Sequence, residues 1–379
     1  GGQFAGLDRF EARKKVVEEL DRQGLFLKKD SHMHSVGHCQ RCNTIVEPTI
    51  SKQWFVKIKP LAEKAIEGVE TGDIKIYPET WKNTYFEWMY NIRDWCISRQ
   101  IWWGHRIPAW YCSGCGEVIV EMHEPDTCPK CKSSNLSQDP DVLDTWFSSA
   151  LWPFSTMGWP EKTKTLEKFY PTSTLVTGFD ILFFWVARMI MDGYKFMGER
   201  PFKEVYLHAL VRDQHGQKMS KSKGNVIDPL LMIDKFGADA FRFTLAAFAA
   251  QGRDIKMSED RNDGYRNFVN KIWNASRFIM MNMEEGAEMP SYDKLKIEDK
   301  WILMNLQKTA EQVARAIKAY DFNEGALGIY SFFWHKFCDW YLEFIKPRIY
   351  NEETKAEALA VAAFVLEKSL VILHPFMPF

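Results

Sequence analysis

Thr174-Leu175-Val176-Thr177, the run from Ile181 to Met191, and Glu204-Val205-Tyr206-Leu207 are the stretches on which the fold turns. The two short segments are β-branched and apolar, as buried strands are. The run between them is almost wholly apolar and reads as a buried helix. Strand, helix, strand in that order predicts a parallel sheet. Residues 141–225 continue the alternation.

Downstream the pattern becomes almost wholly helical. Asp228-Pro229 reads as an N-cap followed by proline in the first turn, and Gly237 as a stop. Tyr265, Phe268, Val269, Ile272, Trp273, Ser276 and Ile279 mark one face of a long helix. Trp301 to Tyr320, Leu327 to Ile345 and Ala356 to Leu373 are three more, so an antiparallel four-helix bundle is expected. Upstream, residues 110–138 are turn-rich and carry cysteines. Residues 51–109 mix helical stretches with breaks at Pro60, Pro78 and Pro108. Within residues 1–30, Phe10, Val16, Val17 and Leu20 recur at helical spacing and Gly24 ends the helix. The expected fold class is α/β followed by all-α, without repeats or low-complexity segments.

Bulk properties exclude several classes. The chain has 379 residues, 46% hydrophobic and 26% charged, which suits two to three globular domains. A net charge of -1 gives no global field for a polyanion, so any nucleic-acid contact needs local basic surface. Arg277, Lys336 and Arg348 are candidates in the bundle, though a solvated face is the simpler reading of each. The 15 tryptophans read mostly as core. No apolar run reaches the roughly 18–20 residues that span a bilayer. Gly1-Gly2-Gln3 opens no signal pattern. The expectation is a cytoplasmic protein without a membrane partner.

Six of the eight cysteines form three C-x-x-C pairs, which in such a chain favours metal over disulfide. Cys112-x-x-Cys115 and Cys128-x-x-Cys131 are twelve residues apart, each pair in a tight turn. Two such knuckles place four thiolates around one Zn²⁺, with no open position for water, so the metal would be structural. Cys39-x-x-Cys42 is half of a similar site. Its remaining ligands are either His32, His34 or His38, or groups outside the chain.

Lys218-Met219-Ser220-Lys221-Ser222-Lys223-Gly224-Asn225 sets lysines among small hydroxyl residues in a loop. Such a loop can put several ammonium groups on a polyphosphate and stabilise charge developing there. By composition alone it is equally a solvated basic loop.

Lys218 to Ser222 also spells the K-M-S-K-S signature, and the chain resembles the class I aminoacyl-tRNA synthetases, closest to their valyl branch. Asn91 to Gln100, Trp103 to Pro108, Asp141 to Ser149, Thr177 to Ile181, Phe183 to Met189, Leu207 to Asp213 and Gly237 to Phe243 carry the same likeness, which covers essentially the whole chain. It implies a partial Rossmann-type catalytic domain with a zinc-knuckle insertion, then a helical anticodon-binding bundle. On this likeness residues 1–50 are the exit of an inserted editing domain. Residues 51–227 are the second half of the catalytic domain, with the knuckle at 110–138. Residues 228–264 connect to the bundle at 265–379.

The resemblance also implies roles. ATP, with Mg²⁺, and valine would give valyl-adenylate, and the valyl group would pass to tRNA(Val). Lys218 and Lys221 would act catalytically on the ATP phosphates, with Met219, Ser220 and Ser222 in the same loop. Gly178 and Asp180 would meet the ribose, and His208, Ala209 and Val211 the adenine. Trp146 and Trp103 would wall the amino-acid pocket. His105 belongs to a structural element of the family.

The family's H-x-G-H motif is absent; Trp102-Trp103-Gly104-His105 has only its last two letters. The expectation is a fragment whose partner is the missing N-terminal half of the same enzyme, slow or inactive alone and unable to edit. An isoleucyl enzyme and a non-catalytic tRNA-binding module with a zinc knuckle are the alternatives.

Overall fold

The computed structural model describes residues 2–39, 42–220, 224–250, 254–283 and 288–379. The chain divides into two compact units, Gly1–Lys52 and Gln53–Phe379. In the first, the helix Arg9–Arg22 begins where Asp8 accepts from the Phe10 N–H at 2.9 Å. Arg13 pairs with Glu47. The apolar stripe of this helix is exposed.

The second unit is built on a parallel sheet of three strands: β1 Lys75–Tyr77, β2 Thr172–Gly178 and β3 Phe202–His208, in the order β1-β3-β2. In register, Ile76 and Leu175 flank Val205, and all three are buried. They face helices Lys59–Glu70 and Thr80–Tyr90 and the helix between β2 and β3. That connecting helix is the one expected over Ile181 to Met191, but it is not uniform. Leu182–Ala187 and Gly193–Met197 wind as π-helix around an α-helical Arg188–Asp192.

This helix buries charge. Arg188 is almost wholly buried, with Trp95 beneath its guanidinium at 3.7 Å and Asp144 at 3.8 Å. Burial lowers its pKa to about 10, against the opposing pull of Asp144. Burial likewise lifts Asp192 to about 7, Arg188 offsetting only part. A free carboxylate titrates near 3.9. The native state therefore holds a proton that the unfolded chain releases, and stability falls as pH rises from about 4 to about 7. Asp192→Asn should remove that slope, gaining a few kcal/mol above pH 7 and nothing near pH 4. Denaturant unfolding of both proteins at pH 5 and pH 8 checks this; parallel behaviour would refute it.

Residues 109–138 form a small antiparallel sheet, Val118–Val120 and Leu136–Gln138 flanking Ala109–Cys112. Beyond Asp228, whose side chain caps Pro229–Phe236 at 2.9 Å, the chain is helical. Glu259–Asn282, Ile297–Lys318, the consecutive spans Phe322–Ser331, Phe332–Tyr341 and Leu342–Ile349, and Glu352–Leu373 share one core.

Two sequence readings need correction. Trp273, placed on the apolar face, is 71% exposed. The inward stripe is Phe268, Ile272, Ala275 and Ile279, and a residue one step from Ile272 lies about 100° around the helix. Arg348 is not on a solvated face. Its Nη1 lies 2.9 Å from Glu298 and from Asp299, which is fully buried and also accepts from the Tyr341 hydroxyl at 2.8 Å. Lys336 donates to Asn305 at 2.8 Å, while Arg277 is exposed.

Candidate functional site

In parallel α/β sheets ligands bind beyond the carboxyl ends of the strands. Here Gly178 ends β2 directly opposite His208, which ends β3. The chain then turns through Phe179–Ile181, which carries Asp180. A methyl group added at Gly178 would meet Asp180 Oδ1 at 2.7 Å, Leu210 Cδ2 at 3.3 Å and His208 Cε1 at 3.7 Å. Gly178, Asp180 and His208 thus converge on one spot, and glycine keeps it open. The His208 Nδ1 lies 2.9 Å from its neighbour's carbonyl, Ala209 O. His208, Ala209 and Val211 line a largely apolar cavity of about 430 Å³ with Tyr206, Arg242 and Phe322. Asp180 opens instead on a smaller cavity of about 100 Å³ with Trp81, Trp88 and Phe184.

The lysine loop grows from the next strand. Val211–Arg212 pairs with Ile255–Lys256, and Arg212 bridges to Lys218, which is exposed. Lys221 and Ser222 lie outside the described residues. A clasp closes the base of the loop. The Asn225 amide donates to Asp213 Oδ2 at 2.8 Å, and its oxygen accepts from the Ser220 N–H at 2.9 Å. Asp213 also accepts from the N–H groups of Gln217 at 2.8 Å and His215 at 3.0 Å. The Asn225 amide, then these N–H groups, hold its carboxyl below the usual range. Sequence reading gave neither Asp213 nor Asn225 a role of its own; an Asp and an Asn flanking a lysine loop were the available signal.

Asp144 organises the aromatic wall. It is buried, and its side chain accepts from the Trp146 N–H at 3.5 Å at the start of helix Thr145–Ala150. It also accepts from Arg99 Nη2 at 2.8 Å and Trp95 Nε1 at 3.0 Å. Trp146 stacks on Phe184 with centroids 5.9 Å apart, and Phe184 lines the small cavity with Asp180. Trp103 is different: it stands 91% exposed beside an equally exposed Trp102. His105 contributes its carbonyl, which accepts from the Leu143 N–H at 2.7 Å.

The Sγ atoms of Cys112, Cys115, Cys128 and Cys131 lie within 4.8 Å of one another. The Cys112–Cys131 and Cys115–Cys128 separations are 3.5 and 3.7 Å. Zn–S bonds of about 2.3 Å put tetrahedral ligands about 3.8 Å apart, so the thiols present fit zinc. Burial raises the Cys112 thiol, but N–H groups of Cys115 and Gly114 and the neighbouring thiols bring it to about 7, while Cys115, against the pull of the Glu117 N–H, is pushed up by burial and the same thiols to about 12. Each knuckle closes alike: Gly116 N–H donates to Cys112 O at 2.8 Å and Lys132 N–H to Cys128 O at 2.9 Å, both donors at positive φ. In the first unit Asn43, at φ 57, likewise donates to Cys39 O at 2.8 Å. The Thr44 hydroxyl and N–H bring Cys42 to about 7.

Among the described residues no helix is long and apolar enough to cross a membrane. The chain matches the family described as tRNA synthetases class I (I, L, M and V) over residues 6–258, and the anticodon-binding domain of tRNA ligase over residues 299–379. It is 61% identical to a valine–tRNA ligase of Syntrophotalea carbinolica over 100% of this chain and 43% of that protein. It is 59% identical to one of Thermotoga maritima over 100% of this chain and 44% of that protein. The chain thus spans less than half the length of these curated relatives. Among solved structures, Mycobacterium tuberculosis methionyl-tRNA synthetase with methionyl-adenylate superposes with a TM-score of 0.70 at 19% identity, over 90% of this chain and 64% of that one. The Agrobacterium radiobacter K84 agnB2 LeuRS complex gives 0.61 at 23%, over 76% and 40%. At those identities the likeness speaks for the fold. With both segments of the chain matched, the protein belongs to the class I tRNA synthetases of the I, L, M and V group.

Proposed function

We propose that this chain carries the phosphate-loop half of a valine–tRNA ligase active site together with the bundle that holds tRNA(Val). The convergence of Gly178, Asp180 and His208 at the strand ends carries this reading. The 61% identity to a valine–tRNA ligase supports valine over isoleucine. Asp180 would accept a hydrogen bond from a ribose hydroxyl of ATP. His208 and the backbone of Ala209 and Val211 would bracket adenine. Lys218 and Lys221, in the loop with Met219, Ser220 and Ser222, would bring ammonium groups to the phosphates, beside the Mg²⁺ that ATP carries. Positive groups placed where charge develops favour the transition state over the ground state. Trp146 would wall the valine side chain, and Trp103 would join it only by leaving its exposed position. Cys112, Cys115, Cys128 and Cys131 would hold Zn²⁺, which with four thiolates supplies structure and no reactive position.

No H-x-G-H occurs in these residues, so the opposite half of the nucleotide site would come from outside them. Alone, the chain should exchange ATP and pyrophosphate slowly or not at all. Translation substrates would place it in the cytoplasm.

The test joins this chain to the unmatched remainder of the Syntrophotalea carbinolica relative and measures amino-acid-dependent ATP–pyrophosphate exchange. Valine should support it and isoleucine poorly. Lys221→Ala should cut the rate by about 10²–10³ and spare tRNA binding. Equal loss of both would favour a non-catalytic tRNA-binding module, and preference for isoleucine an isoleucyl enzyme.

A further inference from the structure

One side chain of the bundle touches every strand of the catalytic sheet. Tyr320 lies in the turn between helices Ile297–Lys318 and Phe322–Ser331. Its hydroxyl is 2.6 Å from Glu204 Oε2 on β3 and 3.0 Å from Thr174 Oγ1 on β2. Its ring stacks on Tyr206 of β3 at 5.2 Å and 15°, and tilts against Tyr77 of β1 at 4.9 Å. The register explains how one residue reaches all three. Tyr77 pairs with Tyr206 and Thr174 with Glu204, so the four share one sheet face, opposite the face of Ile76, Leu175 and Val205.

Tyr320 holds this position at φ 57, a backbone region costly for a bulky L residue. Its turn is pinned by the N–H of Asp321, which donates to Ala316 O at 2.8 Å. Such strain persists where the surroundings over-determine it. The strands it grips are those whose far ends carry the site: Glu204 precedes His208 on β3, and Thr174 precedes Gly178 on β2.

We propose that Tyr320 is a positioning residue, a joint fixing the bundle against the catalytic sheet so that tRNA held by the bundle presents its 3′ end at the strand ends. This rests on the function proposed above. Amino-acid activation uses the strand ends with the loop and side chains beside them, and Tyr320 is not among the residues that line their cavity, whereas transfer to tRNA also needs the bundle at a set angle to the sheet. A weakened joint should therefore spare the first step and slow the second.

The test uses the joined enzyme described above. Tyr320→Phe keeps the ring and removes the hydroxyl that donates to a carboxylate. Valine-dependent pyrophosphate exchange should stay within about twofold of the parent, and kcat/KM for full-length tRNA should fall roughly tenfold. Charging of an acceptor-stem minihelix, which the bundle does not hold, should be unchanged. Glu204→Gln, which keeps an acceptor for the hydroxyl, should give a smaller loss in the same direction and serves if the tyrosine variant misfolds. Exchange and charging falling together would reduce Tyr320 to packing, and unchanged charging of full-length tRNA would end the proposal. If the parent enzyme formed no adenylate with valine, the underlying function would fail first and take the joint with it.

Discussion

Replacing Asp144 by alanine is expected to destabilise the unit Gln53–Phe379 by about 3–5 kcal/mol. The reason is what the carboxylate leaves behind. Arg188 is buried, its Nη1 has no hydrogen-bond partner among the described residues, and Asp144 lies 3.8 Å from it as an ion-pair partner. Without Asp144 the guanidinium keeps its desolvation cost and loses its nearest counter-charge, leaving only the more distant, half-protonated Asp192, while Trp95 Nε1 loses its acceptor. The same carboxylate caps the helix that carries Trp146, and an N-cap is worth about 1 kcal/mol by itself. Instability and loss of the aromatic wall should therefore arrive together. Urea unfolding measures the first, and binding of valine to the joined enzyme the second. Asp144→Asn keeps an oxygen for the cap but no charge for Arg188, so it should retain more of the wall than of the stability. A well-folded alanine variant losing less than about 1 kcal/mol would show that Arg188 finds another partner, and the hub would not exist.

What the sequence revealed follows from how local each signal is. β2 and β3 announce themselves because Leu175-Val176-Thr177 and Val205-Tyr206-Leu207 are short β-branched and apolar stretches, although each strand also carries polar residues and buries one face more than the other. β1 was invisible: Lys75-Ile76-Tyr77 is three residues long and buries only Ile76 fully, too little for any periodicity. The knuckles were legible because ligand spacing is a local constraint. Arg348 was misread because an arginine in a helix looks solvated until the helix bearing Asp299 packs against it. Tyr320 and the Asp213–Asn225 clasp depend on residues far apart in the chain or on loop closure, and neither leaves a pattern of its own. Gly178, Asp180 and His208 lay in recognisable motifs, but their meeting depends on the register of β2 against β3. Trp103 shows the reverse: its motif was plain, yet nothing in its local sequence told that it would stand exposed.

Removing the zinc proposed for the four-cysteine site, or replacing Cys128 by serine, is expected to unfold residues 109–138 while leaving the bundle intact. The core cluster of this segment is Trp110, Cys112, Ile119 and Cys128, with Leu136 packed against it; with Ala109 the segment has five buried residues, and two of them are themselves candidate ligands. Apolar burial on that scale cannot hold three short strands together. Structural zinc supplies on the order of 10 kcal/mol in small domains that depend on it. The knuckle is tied to the rest of the unit at Asp139, which accepts from the Tyr111 hydroxyl at 2.6 Å and from Trp54 Nε1 at 2.8 Å. Those contacts keep the segment tethered after metal loss but do not pair its strands. Native mass measurement should find zinc bound at the four-cysteine site and lost on chelation. Hydrogen exchange across residues 109–138 should then accelerate at least about a thousandfold, the ratio that roughly 4 kcal/mol gives. Peptides from Ile297–Lys318 and Glu352–Leu373 should keep their protection, because their core is distant in composition from the knuckle and shares no residue with it. Unchanged protection of the knuckle in a chain stripped of metal would mean that the four thiols hold the turns by themselves, and the zinc assignment would have to be given up.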